Sequence, residues 1–302
     1  MDIVIEENVY ENLGPKITLI GVGGGGGNMI SHTIKNGTAH SDIELICANT
    51  DAQALRSSLA PIKIQLGTKL SAGLGAGMKP DVGRESAIEN YEEIKKMLSG
   101  ADIVFIAAGL GGGTGTGAAP IVAKAARELG ALTVSIVTKP FRNEGNKRMR
   151  LAESGLAELK KESDSIVVIP NDKLLSIIPK GMGIRDAFRI VDDVLARAVG
   201  GMSRIILQTG ESDINVDFAD VRTIMSHRGL ALMGVGESSG NNAAQEAVKN
   251  AIESPLFDNM SIKGAMGVLI HFKVHPNYSM EETDRSKSTR LNSSHGKLSR
   301  MP

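Results

Sequence analysis

Short apolar runs alternate with longer amphipathic stretches through the first two-thirds of this 302-residue chain. Residues 16–22 (KITLIGV), 43–50 (IELICANT), 101–109 (ADIVFIAAG), 131–140 (ALTVSIVTKP) and 163–172 (SDSIVVIPND) are continuous apolar segments rich in Ile and Val. Such runs predict strands buried on both faces. Helical stretches fall between them: one opening at Asn28, residues 119–130 (APIVAKAARELG) closed by Gly130, and residues 146–163 (NKRMRLAESGLAELKKES). The alternation predicts an α/β fold built on a mainly parallel sheet.

From Ile184 to Gln208 the apolar positions keep helical spacing without a break. This predicts a single helix of about 35–40 Å, at 1.5 Å per residue, weakened slightly by Gly200 and Gly201. Beyond the loop 209–220 come a helix (221–229), a strand (230–237), a helix (242–254) and a strand (265–274). Two strands and two helices are few for an independent domain, so this second, smaller α/β unit reads as incomplete. The expected division is a polar lead-in (1–14), a first domain (15–183), a central helix (184–210), a partial second domain (211–280) and a tail (281–302).

Composition narrows the function. Lys plus Arg and Asp plus Glu both number 34, but the last eighteen residues carry five basic residues and no acid. The remaining 29 basic against 34 acidic residues leave a mildly acidic body, without the basic stripe of a nucleic-acid binder. The Ser-rich basic ending reads as a foreign tail. Cys47 is the only cysteine and lies in an apolar run, so a disulfide framework is excluded. No apolar run approaches the ~20 residues of a membrane span, and the acidic start lacks the features of a signal peptide. A soluble protein of a reducing compartment is expected.

Two glycine clusters carry the candidate chemistry. GVGGGGGN (21–28) and GLGGGTGTGAAP (109–120) each follow an apolar strand. In parallel sheets ligands bind beyond the carboxyl ends of the strands, and glycine turns there let backbone amides close on an anion. The first cluster satisfies G-x-G-x-x-G, a dinucleotide signature, though five consecutive glycines satisfy almost any such pattern. Neither cluster is followed by the lysine of a P-loop. A third reading is a phosphate chain gripped from two sides, with the Thr114 and Thr116 hydroxyls assisting. Two tight turns without a ligand are the plain structural alternative.

GGGTGTG (111–117) resembles the signature of the tubulin/FtsZ family of GTPases. GVGGGGGN, ANTDAQAL (48–55), GLGAG (73–77), TKPF…EG…R (138–148) and NVDFADVRTIM (215–225) are similar to that family in the same order. The resemblance implies a GTP-binding first domain, in which Gly24, Gly25, Gly26, Gly27 and Asn28 together with Gly113, Thr114 and Gly115 hold phosphates. It implies that Ala76 and Gly77 approach the γ-phosphate, that Glu144 and Asn171 meet the ribose, and that Arg148 meets phosphate oxygens. It further implies Mg²⁺, head-to-tail homopolymers, a division ring at the mid-cell cytoplasm, and hydrolysis that waits for assembly. A tubulin-like filament for DNA segregation and a Rossmann oxidoreductase are the rivals. Family members continue past residue 280 to a peptide that binds membrane anchors and regulators, so docking to those partners is not expected here.

Base choice follows from chemistry. Phe188 offers an aromatic face, and Asp192 lies one helical turn further along the same side. A carboxylate only accepts hydrogen bonds, which suits the two donors on the guanine edge and repels the adenine N1 acceptor. Water activation is assigned to Asn215, Asp217 and Asp220, the acid–amide group after the long helix. That group stands roughly 35 Å from Phe188 and Asp192 along the helix. The acids would therefore serve a neighbouring subunit's nucleotide, and a head-to-tail contact of this kind grows into a filament unless it closes.

Overall fold

The computed structural model describes residues 14–37, 41–174, 181–207, 218–227, 229–240, 242–253 and 265–270. Seven strands, β1 (Ile17–Val22), β2 (Ile43–Asn49), β3 (Ile62–Gln65), β4 (Ile103–Gly109), β5 (Leu132–Lys139), β6 (Ser165–Pro170) and β7 (Gly229–Ala231), form one sheet in the order β3-β2-β1-β4-β5-β6-β7. Every pairing is parallel. The expected α/β architecture is present.

Alternation along the buried strands divides the core between two faces. Ile17 and Leu19 of β1 point to the side covered by α1 (Gly23–Lys35) and α8 (Ile184–Leu207). There they join Met29 and Ile30, together with Val191, Leu195, Ala198, Val199, Met202 and Ile206. Ile20 and Val22 point the other way, toward α3 (Pro80–Glu89), α4 (Tyr91–Leu98), α5 (Thr114–Glu128) and α6 (Asn146–Glu162). The buried positions of α8 recur every three or four residues, so one continuous 24-residue helix forms across both internal glycines. Shorter helices complete the order: α2 (Ala52–Ser57), α7 (Asn171–Leu174), α9 (Phe218–Met225) and α10 (Ala243–Ile252).

Four expectations need correction. The helix read as opening at Asn28 begins at Gly23, so the glycines form its first turns instead of a loop before it. Glycine disfavours helix by about 1 kcal/mol per residue, but tertiary packing overrides that penalty. β3, α3 and α4 occupy a stretch from which no elements were expected. The strand expected over 230–237 is three residues long and pairs with Ser165–Val167 of β6, so it extends the first sheet. Residues 232–239 leave the ladder beside α10: a Cβ on Gly236 would lie 2.6 Å from the Ala251 amide nitrogen. Residues 265–270, the described part of the last expected strand, form no strand.

Candidate functional site

In-register pairing of β1 with β4 ends both strands side by side, Val22 opposite Ala108. The two glycine clusters therefore meet. A Cβ placed on Gly23, whose φ is +72°, would lie 2.8 Å from the Gly115 amide nitrogen, and one on Gly25 would lie 3.1 Å from the Gly109 backbone. Only glycine lets the two backbones approach this closely. The opposite sides of the same loops are open: nothing lies within 4 Å of a Cβ on Gly24 or Gly112. The buried sides of the glycines join the loops, and the open sides form a cradle at the N-termini of α1 and α5. Gly26 and Gly27 are buried, whereas Asn28 is exposed on the first turns of α1.

The two threonines of the second cluster part ways. Thr116 is buried, and its hydroxyl oxygen accepts a hydrogen bond from the Gly111 amide at 2.9 Å. It shapes the loop from within, which corrects the expectation that it faces a phosphate. Thr114, half-buried at the first position of α5, keeps its hydroxyl 2.6 Å from that of Thr50.

A third loop, residues 67–79, closes over this end of the sheet. Its Ala76 lies against the second cluster, where a Cβ on Gly113 would come within 2.7 Å of the Ala76 Cβ. Gly77 takes a positive φ of +53° with open space around it. The loop is bound to the segment after β2: the Ala52 amide donates to the Gly73 carbonyl at 3.0 Å, and the Gly75 amide to the Thr50 carbonyl at 3.2 Å. Leu70, Leu74 and Met78 on this loop are large, exposed apolar side chains, and Leu74 is 88% exposed.

Beyond β5 the chain turns through a 3₁₀ segment, Arg142–Glu144, into α6. Glu144 accepts from the Phe141 amide at 2.8 Å and from Arg148 Nη1 at 2.7 Å, an i,i+4 pair along the start of α6. Arg148 is 41% exposed, leaving guanidinium donors for another acceptor. Asn171 follows β6; it is 4% exposed, and its side-chain oxygen has no hydrogen-bond partner in the structure. A buried, unsatisfied amide oxygen costs about 1–3 kcal/mol and marks a place suited to a ligand donor. The Phe188 ring meets Phe141 edge to face, with centroids 5.4 Å apart, and remains 38% exposed. Burial pushes the Asp192 carboxyl up to about 6, opposed in part by the charge of His32. Arg142, which sequence reasoning passed over, ties this region together: its Nε pairs with Asp172 at 3.2 Å and its amide donates to the same carboxylate at 3.0 Å.

Of the three residues assigned to water activation, Asn215 and Asp217 lie outside the described residues. Asp220 is exposed in the first turn of α9. That helix buries Val221 completely, and Arg222 Nη2 donates to the Gly130 carbonyl at 2.5 Å. Gly130 precedes β5 at its amino end, whereas the glycine clusters sit at the carboxyl ends of the strands. The eight residues of β5 separate the two ends by about 25 Å. The structure therefore brings the cradle residues together and places Asp220 at the far end of the sheet.

The model of the tubulin/FtsZ family GTPase domain matches residues 16–179, more than half of the chain. The chain belongs to the tubulin/FtsZ family. A second model, the FtsZ family C-terminal domain, matches residues 229–295 and so runs into the basic ending read as a foreign tail. Cell division protein FtsZ of Helicobacter pylori strain 26695 is 52% identical over 267 residues, covering 88% of this chain and 69% of that protein. The Pseudomonas aeruginosa protein of the same name is 51% identical, covering 88% of this chain and 66% of its own length. A solved FtsZ dimer from M. jannaschii superposes with a TM-score of 0.81 at 42% identity, over 93% of this chain and 80% of that one. The interlocked glycine loops of this tubulin/FtsZ chain thus lie inside the matched GTPase domain.

Proposed function

We propose that this chain is a GTP-dependent, self-polymerising GTPase of bacterial cell division, acting in the cytoplasm at the mid-cell. The observation that carries the reading is the cradle: two glycine loops joined on their buried sides and open at Gly24 and Gly112, within a domain that the family model assigns as a GTPase. Backbone amides of Gly24, Gly25, Gly26, Gly27 and Asn28 and of Gly113, Thr114 and Gly115 grip the phosphate chain at two helix N-termini. Ala76 and Gly77 close on the γ-phosphate. Glu144 and Asn171 hold the ribose, and Asn171 gains the partner its buried oxygen lacks. Arg148 exchanges its half-buried partner carboxylate, Glu144, for a phosphate. Phe188 stacks on the guanine, and Asp192 accepts from its two edge donors.

Among the described residues no three acidic, histidine or cysteine side chains converge on a metal site. The residues present fit a Mg²⁺ held chiefly by phosphate oxygens and water, as that ion prefers; there it would offset the charge on the phosphates. The chain's own residues position the nucleotide. Asn215, Asp217 and Asp220 orient the attacking water, the main demand phosphoryl transfer makes on side chains. With Asp220 at the far end of the sheet, those groups act on the nucleotide of the next subunit. The exposed Leu70, Leu74 and Met78 beside the cradle supply apolar surface for that contact, and a relative solved as a dimer agrees with self-association. Family membership sets aside the dinucleotide reading of the first cluster.

The test is sedimentation with GTP, GDP and ATP in parallel. Pelleting with GTP alone, accompanied by phosphate release, is expected. Equal pelleting with ATP, or guanine nucleotides without effect, would overturn the reading.

A further inference from the structure

Thr50 is fully buried immediately after β2, at the junction of the second glycine cluster and the loop 67–79. Its side chain faces one of these segments and its backbone the other. The hydroxyl lies 2.6 Å from the Thr114 hydroxyl at the start of α5. The carbonyl accepts from the Gly75 amide at 3.2 Å and from the Ser71 hydroxyl at 3.2 Å. Ser71 is itself buried, with its hydroxyl also within reach of the Leu66 and Gly67 carbonyls. One residue thus fixes the rotamer of Thr114 and seats the loop carrying Ala76 and Gly77.

We infer that Thr50 is a positioning residue that strengthens the hold on the terminal phosphate of GTP, a contact that GDP lacks. The inference rests on the assignment of the cradle to GTP. A hydroxyl is free to rotate until a partner fixes it. Thr50 holds the Thr114 hydroxyl on the side of α5 that faces the loop, where the outermost phosphate of a triphosphate would arrive. The first cluster, on α1, touches neither Thr50 nor the loop through these bonds, so inner-phosphate contacts common to GTP and GDP do not depend on them. A pre-set donor contributes binding energy that a rotating one loses in being ordered.

The experiment measures the affinities of the slowly hydrolysed GTP analogue GMPCPP and of GDP, below the protein concentration at which pelleting begins. Thr50→Val keeps the branched shape and removes only the hydroxyl. It is expected to weaken GMPCPP binding about fivefold, the equivalent of one hydrogen bond, and to leave GDP affinity within about twofold. Thr50→Ser, which keeps the hydroxyl, should restore the analogue's affinity. Ser71→Ala removes the side-chain tie to the Thr50 carbonyl and should shift the same ratio, so it decides the matter if Thr50→Val fails to fold. Equal losses for both nucleotides, or an unchanged ratio in the folded variants, would overturn the role of Thr50 while leaving the GTP site intact. A parent chain that binds neither guanine nucleotide would overturn the site assignment as well.

Discussion

Asp192 is a carboxylate where charge is disfavoured. Burial raises it from 3.8 to about 6, with His32 pulling the other way. A raised folded-state pKa favours the protonated form, so ionising Asp192 has no destabilising effect below about 3.8. The penalty grows as pH rises toward 6 and is complete above it. Guanine offers the ionised form two donors, which favours the charge. Guanine nucleotide affinity should therefore fall as pH drops through about 6, as titration calorimetry at several pH values would read. Asp192→Asn should flatten that profile and raise the melting temperature of the nucleotide-free protein at pH 7 but not near pH 4. His32 and its neighbour Asp193, 3.5 Å away, are present in both proteins, so the difference isolates Asp192. A parallel fall in both proteins would contradict the assignment. Arg148 follows a different balance. Its pairing with Glu144 is a half-buried i,i+4 contact, and i,i+4 helix pairs contribute about 0.3–0.5 kcal/mol, whereas a charge-assisted phosphate contact contributes about 1.5–3 kcal/mol. Arg148→Ala should accordingly weaken GTP binding at least tenfold while leaving thermal stability nearly unchanged. Unaltered affinity would return Arg148 to an ordinary helix surface.

At the scale of elements, neighbouring glycines separate folding from binding. Gly23 takes a left-handed φ and faces the Gly115 backbone; Gly23→Ala adds strain of about 1–2 kcal/mol as well as a collision, so stability and binding should both drop. Gly24 faces open space, and Gly24→Ala should keep or slightly raise the melting temperature, since alanine favours helix. The same methyl would enter the cradle, so Gly24→Ala should still weaken GTP binding. Loss of stability in Gly24→Ala would place that glycine against protein. Much of this was legible in the sequence. Continuous Ile/Val runs announced buried parallel strands, the spacing of Val191, Leu195 and Met202 announced α8, and both glycine clusters stood at strand ends. Other features were hidden for physical reasons. The start of α1 at Gly23 contradicts propensity and depends on β4 lying alongside. The short edge strand β3 lacks the length that periodicity needs. The inward turn of Thr116 and the reach of Thr50 depend on contacts between segments far apart in the chain, which no local pattern encodes.

At the scale of the molecule, the long helix and the sheet set the cradle and Asp220 apart. α8 runs about 36 Å at 1.5 Å per residue, and the tie between Arg222 and Gly130 fixes α9 at the amino end of β5. A separation of that order cannot be closed by side-chain motion, so Asp220 either takes no part in hydrolysis or takes part in a neighbour's. The two possibilities differ in how the rate depends on concentration and on mixing. Asp220→Ala should bind GTP with near-normal affinity and hydrolyse it far more slowly, as expected on losing a group that orients water. Arg148→Ala has the reverse defect, with a poor pocket and an intact acid. Once co-sedimentation shows that the two chains enter the same assembly, their mixture should hydrolyse GTP faster than the sum of the separate rates. Each junction that pairs a good pocket with a good acid is complete, and the heterologous contact creates one wherever the pocket of an Asp220→Ala chain meets the acid of an Arg148→Ala chain. Specific activity of the parent chain should also rise with protein concentration before levelling off. A mixture no faster than its parts, or a specific activity independent of concentration, would mean that each subunit completes its own site, and the placement of Asp220 would then need a different explanation.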